Sequence, residues 1–228
     1  MNIRALLFDM DGLLLDSEML HIRAYQRLTE QLGHPQDAEA LKRFIGRSCR
    51  VTCGWLINDL GCEGTIDGLM AREKAIYFEL LHQDRPEPLP GVAEFFNLAD
   101  TKGLKRALVS SSPGFQVAPT MQVVTEHLKR PGTWSDHFHA VCTGDRVQHV
   151  KPSPDLYLLA AQDLKLSPTE CLAFEDSPAG VQSAAAAGCK VVAVPNMYIT
   201  DQDVSQGKAD YVFDTLAEAY HALHPLLN

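Results

Sequence analysis

Asp9 and Asp11 stand two residues apart at the end of a short apolar run, Ile3 to Phe8, and Glu175-Asp176 ends another, Cys171 to Phe174. Ser110-Ser111-Ser112 follows a third run, Leu104 to Val109, and Lys151 lies beyond a fourth, Phe138 to Cys142. Short apolar runs of this kind fit strands buried on both faces of a parallel sheet. Ligands of such sheets bind beyond the carboxyl ends of the strands. Three or four carboxylates, a hydroxyl and one lysine should therefore meet there. A core has no need of them, because carboxylates are seldom buried unless paired or on a metal. Any one of these residues could be a loop residue or helix cap, the preferred reading for Ser112 and Ser177 alone. As a set they read as a site.

Clustered carboxylates repel unless a cation sits among them. Oxygen-only donors call for a hard metal, and Mg²⁺ is the usual one beside a phosphate. Lys151 then supplies a point charge for a phosphoryl oxygen. Ser110, with Ser111 next to it, supplies hydroxyl and backbone donors. The chemistry this predicts is phosphoryl transfer.

The elements that must position these groups alternate. Lys190 to Val194 and Tyr211 to Phe213 add two further strand candidates. Helices are expected over Val92–Lys102, Asp155–Leu164 and Ala179–Ala187, with Pro154 and Pro178 at helix starts and Gly103 and Gly188 at stops. Alternating strand and helix predict an α/β fold, a doubly wound and mostly parallel sheet. From Leu14 to Pro88 only helical patterns occur: Leu20, Ala24, Leu28 and Leu32 at i, i+4 spacing, then Val51–Leu60 and Ile66–Leu81. The predicted organisation is a core of residues 1–13 and 89–228 with an all-helical insertion at 14–88. The proline-rich segment 86–90 is the return linker.

Composition narrows the partners. The 228 residues are 46% hydrophobic and 21% charged, ordinary globular usage. A net charge of −9 without a basic cluster argues against nucleic acid. No apolar run approaches a membrane span, and Asp9 and Asp11 interrupt the start too early for a secretory signal. A cytoplasmic monomer with reduced cysteines is expected. Cys49 and Cys53 share a helix face, but no histidine at finger spacing completes a zinc site with Cys62. His137 and His139 would share a strand face near His149, with loop or strand-edge roles preferred to a second metal. Trp55 and Tyr25 read as packing residues and Tyr198 as a loop residue.

The motifs carry a family resemblance. Residues 8–18, Phe-Asp-Met-Asp-Gly-Leu-Leu-Leu-Asp-Ser-Glu, resemble the first motif of the haloacid dehalogenase-like superfamily. Val109-Ser110-Ser111-Ser112 resembles the second, Lys151-Pro152-Ser153-Pro154-Asp155 the third, and Phe174-Glu175-Asp176-Ser177-Pro178-Ala179-Gly180 the fourth. The order is the family's and nearly the whole chain is covered. The match is best to the branch with a helical cap, which holds β-phosphoglucomutase and small sugar- and nucleotide-phosphate phosphatases. Val150 departs from the Gly common there before the lysine.

The resemblance implies a nucleophile at Asp9, forming an aspartyl-phosphate, and a general acid and base at Asp11. It implies Mg²⁺ on Asp9, the Asp11 main-chain carbonyl and Asp176, with Glu175 a ligand or a neighbour of one. Small phosphorylated metabolites would be the substrates, chosen by the cap. His21, Arg47, Arg50 and Lys74 are its candidate substrate residues. A sugar phosphomutase is the alternative, favoured by His21. It is disfavoured by Glu73, which stands where the mutase's substrate-binding lysine is expected. A non-catalytic binding protein on the same fold is the reading from another class. Such a protein would be expected to lack one of Asp9, Asp11, Lys151 or Asp176, and all four are present.

Overall fold

The computed structural model describes residues 2–45, 47–196 and 204–227. Among these residues six strands form one sheet: β1 (Ala5–Phe8), β2 (Lys105–Val109), β3 (Ala140–Cys142), β4 (Cys171–Glu175), β5 (Lys190–Ala193) and β6 (Tyr211–Val212). Every pairing is parallel and the order is β3-β2-β1-β4-β5-β6. The helices are α1 (Ser17–Gln31), α2 (Ala38–Lys42), α3 (Cys49–Asn58), α4 (Ile66–Asp84), α5 (Val92–Lys102), α6 (Gly114–His127), α7 (Asp155–Leu164), α8 (Pro178–Ala187) and α9 (Leu216–Leu223). No helix among the described residues is long and apolar enough to cross a membrane.

Both faces of β1 are buried, and its side chains alternate between two cores. Ala5 and Leu7 join Leu156, Ala160 and Val181 from α7 and α8. Phe8 faces the other way, with ring centroids 5.7 Å from Phe96 and 5.1 Å from Phe174. The sheet is therefore covered on both sides, as the unbroken apolar run of β1 predicts.

Two compact units divide the chain: Met1–Leu15 with Glu87–Asn228, and Asp16–Pro86. The division lies slightly inside the 14–88 read from the sequence. Leu14 and Leu15 stay with the sheet unit because the return linker holds them: Leu89 N–H donates to the Leu14 carbonyl at 3.1 Å, and Leu15 bridges Pro88. The second unit is helical, with α1 packed on α4 and α3 on α4. The helices α2, α6 and α9 had no counterpart in the sequence reading. His137 lies in a short 3₁₀ turn and His139 just before β3, so the shared strand face does not form. Tyr198 falls outside the described residues.

Candidate active site

Strand order reverses at β1: β2 and β3 lie on one side of it, β4 to β6 on the other. Chains leaving neighbouring strands there depart in opposite directions and open a crevice at the carboxyl end. Asp9 is the first residue beyond β1, and its N–H still bonds the Phe174 carbonyl at 3.1 Å. The chain then turns tightly, with Leu14 N–H on the Met10 carbonyl and Gly12 N–H on the Leu15 carbonyl, both 2.9 Å. Gly12 has φ +76°, and a Cβ there would lie 2.0 Å from Asp176 Oδ2. Glycine is what lets the first loop and the Asp176 loop close on each other.

Lys151 ties the strand ends together. Its Nζ donates to Asp9 Oδ1, to the Val109 carbonyl at 2.8 Å, and pairs with Glu175 Oε1 at 2.6 Å. Three protons meet three acceptors. Burial works against the ammonium, but Asp9 and Glu175 outweigh it and hold Lys151 protonated, above its ordinary range. Tyr157 of α7 donates its hydroxyl to the same Glu175 oxygen. Glu175 is 0% exposed. Its second oxygen has no hydrogen-bond partner and lies where a Cβ on Gly180 would be, 1.7 Å away.

Asp9, Glu175 and Asp176 are all buried, and each offers an oxygen within 4.8 Å of the others. One ammonium among three carboxylates leaves the cluster two charges negative. Asp9 records the imbalance: burial, opposed by Lys151 and aided by Glu175 and Asp11, pushes its pKa up to about 7. An oxygen-only, electron-rich, buried set of this kind fits a hard divalent cation.

Asp11 is half-buried and accepts from the Ser112 hydroxyl at 3.4 Å. Ser110 is buried and its Oγ accepts from the Ser112 N–H at 3.1 Å, which shapes the turn after β2. Its hydroxyl proton stays available for a ligand. Ser111 is exposed in the same turn. Ser177 caps α8, accepting from the Gly180 N–H at 3.2 Å.

Sequence reasoning missed Tyr157 and Asn196. Tyr157 sits among apolar residues of α7, and nothing in its neighbourhood marks it. Asn196 is buried, with Nδ2 3.0 Å from the point a Gly12 Cβ would occupy. It follows β5, so the strand-end rule applied to that strand would have found it.

Of the helical-unit candidates, His21 and Lys74 both lie against Tyr77. His21 Nδ1 hydrogen-bonds Glu73 Oε1 at 2.7 Å and its ring stacks on Tyr77. Arg50 pairs with Asp67 at 2.7 Å, and Arg47 is exposed. The Lys74 ammonium lies 5.0 Å from the Tyr77 ring centroid.

Comparison with known proteins agrees on the family. A family model described as haloacid dehalogenase-like hydrolase matches residues 3–188. The phosphorylated carbohydrates phosphatase of Thermotoga maritima is 30% identical over 211 residues, covering 91% of this chain and 89% of that one. The β-phosphoglucomutase of Bacillus subtilis is 30% identical over 198 residues, covering 84% and 83%. Among solved structures, CbbY from Rhodobacter sphaeroides in complex with phosphate aligns with a TM-score of 0.80 at 25% identity, over 95% of this chain and 96% of that one.

Proposed function

The chain belongs to the haloacid dehalogenase-like hydrolase family and is a phosphoric monoester hydrolase, and on that premise we propose a Mg²⁺-dependent phosphatase of small phosphorylated metabolites, sugar phosphates first. The observation that carries the reading is the Lys151 clamp on Asp9 and Glu175 beside Asp176, at the point where strand order reverses.

Asp9 is the nucleophile. One of its oxygens bonds to phosphorus as the bond from phosphorus to the leaving oxygen breaks, giving an aspartyl-phosphate. Asp11 gives its proton to the leaving oxygen. In the second half it takes a proton from the water that attacks phosphorus and frees Asp9. Lys151, exchanging its bond to Asp9 for one to the substrate, and Ser110 hold phosphoryl oxygens, and the turn carrying Ser111 adds main-chain donors. Glu175 and Tyr157 keep Lys151 in position. Mg²⁺, held by Asp9, Asp176 and the Asp11 carbonyl, would neutralise charge on the transferring group. Asp9 must be ionised to attack, and a cation beside it favours that form against burial. We assign substrate choice, with His21, Arg47, Arg50 and Lys74 as candidates, to the helical unit of residues 16–86.

The test is phosphate release from a panel of sugar and nucleotide phosphates with Mg²⁺. Asp9→Asn, which keeps size and loses the anion, should lower the rate at least about a thousandfold while the circular dichroism spectrum persists. Chelation should abolish wild-type turnover and added Mg²⁺ restore it. Turnover by Asp9→Asn near the wild-type rate would overturn the nucleophile, and full activity in excess chelator would overturn the metal.

A further inference from the structure

The helical unit holds a second cluster of metal-binding donors, unrelated to the strand-end carboxylates. His21 of α1, Cys49 of α3 and Glu73 of α4 each offer a donor atom within 4.8 Å of the other two. Three helices far apart in sequence converge on one point. The sequence suggested Cys53 as the partner of Cys49; the groups that meet Cys49 are instead an imidazole, a carboxylate and the Tyr25 hydroxyl, which also lies 4.0 Å from Cys53 Sγ.

Glu73 is the anomaly that calls for a ligand. Its side chain is 0% exposed. One oxygen bonds His21 Nδ1, and the other, Oε2, has no hydrogen-bond partner. A protonated imidazole alone would balance the charge and still leave that oxygen desolvated and unpaired, which is costly. No lysine or arginine is ion-paired to it among the described residues. We propose that His21, Cys49 and Glu73 bind a borderline-soft divalent transition metal, with Zn²⁺ as its representative.

The donor chemistry selects the ion. Thiolate and imidazole favour Zn²⁺ over Mg²⁺, which prefers oxygen. Cys49 as thiolate and Glu73 as carboxylate neutralise a divalent charge, so the loaded site is uncharged in a buried setting. With His21 neutral, one Zn²⁺ is taken up and the Cys49 thiol proton is released; a protonated His21 would release a second proton. Donors about 2 Å from a tetrahedral centre lie about 3.3 Å apart, so the His21–Glu73 pair opens by roughly half an ångström. The His21 ring is already oriented by its stack on Tyr77, centroids 4.5 Å apart. At 21% side-chain exposure His21 also gives the ion a way in from solvent. Three protein donors leave a fourth position open. The site would fasten α1, α3 and α4 at one point.

Co²⁺ and Zn²⁺ are the probes, added to the full chain carrying Asp176→Asn so that the carboxylate cluster does not compete. One equivalent of Co²⁺ should produce the near-ultraviolet thiolate-to-metal absorption, and Zn²⁺ should displace it. Cys49→Ser should abolish the band, Glu73→Gln should weaken binding at least about tenfold, and Cys53→Ser should leave both unchanged. No thiolate band, a band that survives in Cys49→Ser, or unchanged affinity in Glu73→Gln would overturn the site. A readout free of any fold-damaging variant uses the wild-type chain. Zn²⁺, but not Mg²⁺, should slow alkylation of Cys49 at least tenfold by peptide mass spectrometry, and equal rates with and without Zn²⁺ would sink the proposal.

Discussion

Lys151 has no freedom of its own, because each of its protons is committed to a partner on a different strand: Val109 at the end of β2, Asp9 after β1 and Glu175 at the end of β4. Its position is thus inherited from Glu175, whose second oxygen occupies the space above Gly180. Gly180→Ala tests that chain of dependence. In an exposed helix the change would stabilise by about 1 kcal/mol. Here the added methyl meets a carboxylate oxygen at 1.7 Å, so Glu175 has to move and Lys151 with it. The expected outcome is a loss of about 1–3 kcal/mol in denaturant unfolding and a fall in kcat/KM of at least about tenfold, equal to about 1.4 kcal/mol. A more stable and fully active variant would remove the dependence. At this scale the sequence marked Asp9, Lys151, Glu175 and Asp176 because each ends or follows an apolar run. It could not mark Tyr157, whose contact joins α7 to the end of β4, or the His21–Glu73 pair, which joins two helices, because no spacing rule connects the partners.

Elements are held to the sheet by polar ties as well as by apolar faces. Arg106 of β2 is buried and donates to the Phe96 and His137 carbonyls, both at 2.8 Å, and to Asp100 of α5 at 2.6 Å. Asp100 also receives Arg130, which follows α6, at 2.6 Å. Burial works to raise the Asp100 pKa, but Arg130 and Arg106 outweigh it and hold it below the ordinary 3.8. A depressed carboxylate contributes stability above its unfolded pKa and loses it as pH falls through the folded one. Breaking a fully buried pair costs about 3–5 kcal/mol, but Asp100 is 48% exposed, so screening reduces this to about 1–2 kcal/mol for Asp100→Asn. Denaturant unfolding should show that gap at pH 7 and show it closing below pH 3.8. An equal gap at both would mean that charge is not what Asp100 contributes. The helix α6, which carries the chain toward Arg130, was illegible in the sequence because of Pro119. An interior proline removes a hydrogen bond and costs about 3 kcal/mol. Val117, Thr120, Met121 and Val124 nevertheless repeat at helical spacing and are all buried, and that apolar face outweighs the break. The strands β1, β4 and β5 were legible for the opposite reason: burial on both faces leaves an apolar run at residues 5–8, 171–174 and 191–193.

At the scale of the whole molecule the alternative to weigh against releasing a phosphoryl group to water is returning it to a sugar. Sheet and motifs do not distinguish the two, since a phosphatase and a mutase are both about 30% identical to this chain. A mutase needs a second phosphate grip, and the resemblance assigns part of it to a lysine in the helix that is α4 here. That position is Glu73, buried and bonded to His21, and a carboxylate there, with or without a metal on it, supplies no ammonium for a phosphate. Lys74 is the neighbouring residue, turned about 100° around the helix, and its ammonium lies over Tyr77 instead. His21 is thereby held by a carboxylate. A net charge of −9 adds no long-range attraction for a doubly phosphorylated intermediate that must stay close between half-reactions. With Mg²⁺, β-glucose 1-phosphate and a bisphosphate primer, inorganic phosphate should therefore appear at least about ten times faster than glucose 6-phosphate, a bias of about 1.4 kcal/mol between competing barriers. Following both products in one reaction decides it: primed isomerisation outrunning phosphate release would mean that the second grip exists without a lysine at Glu73, and that the chain is a mutase.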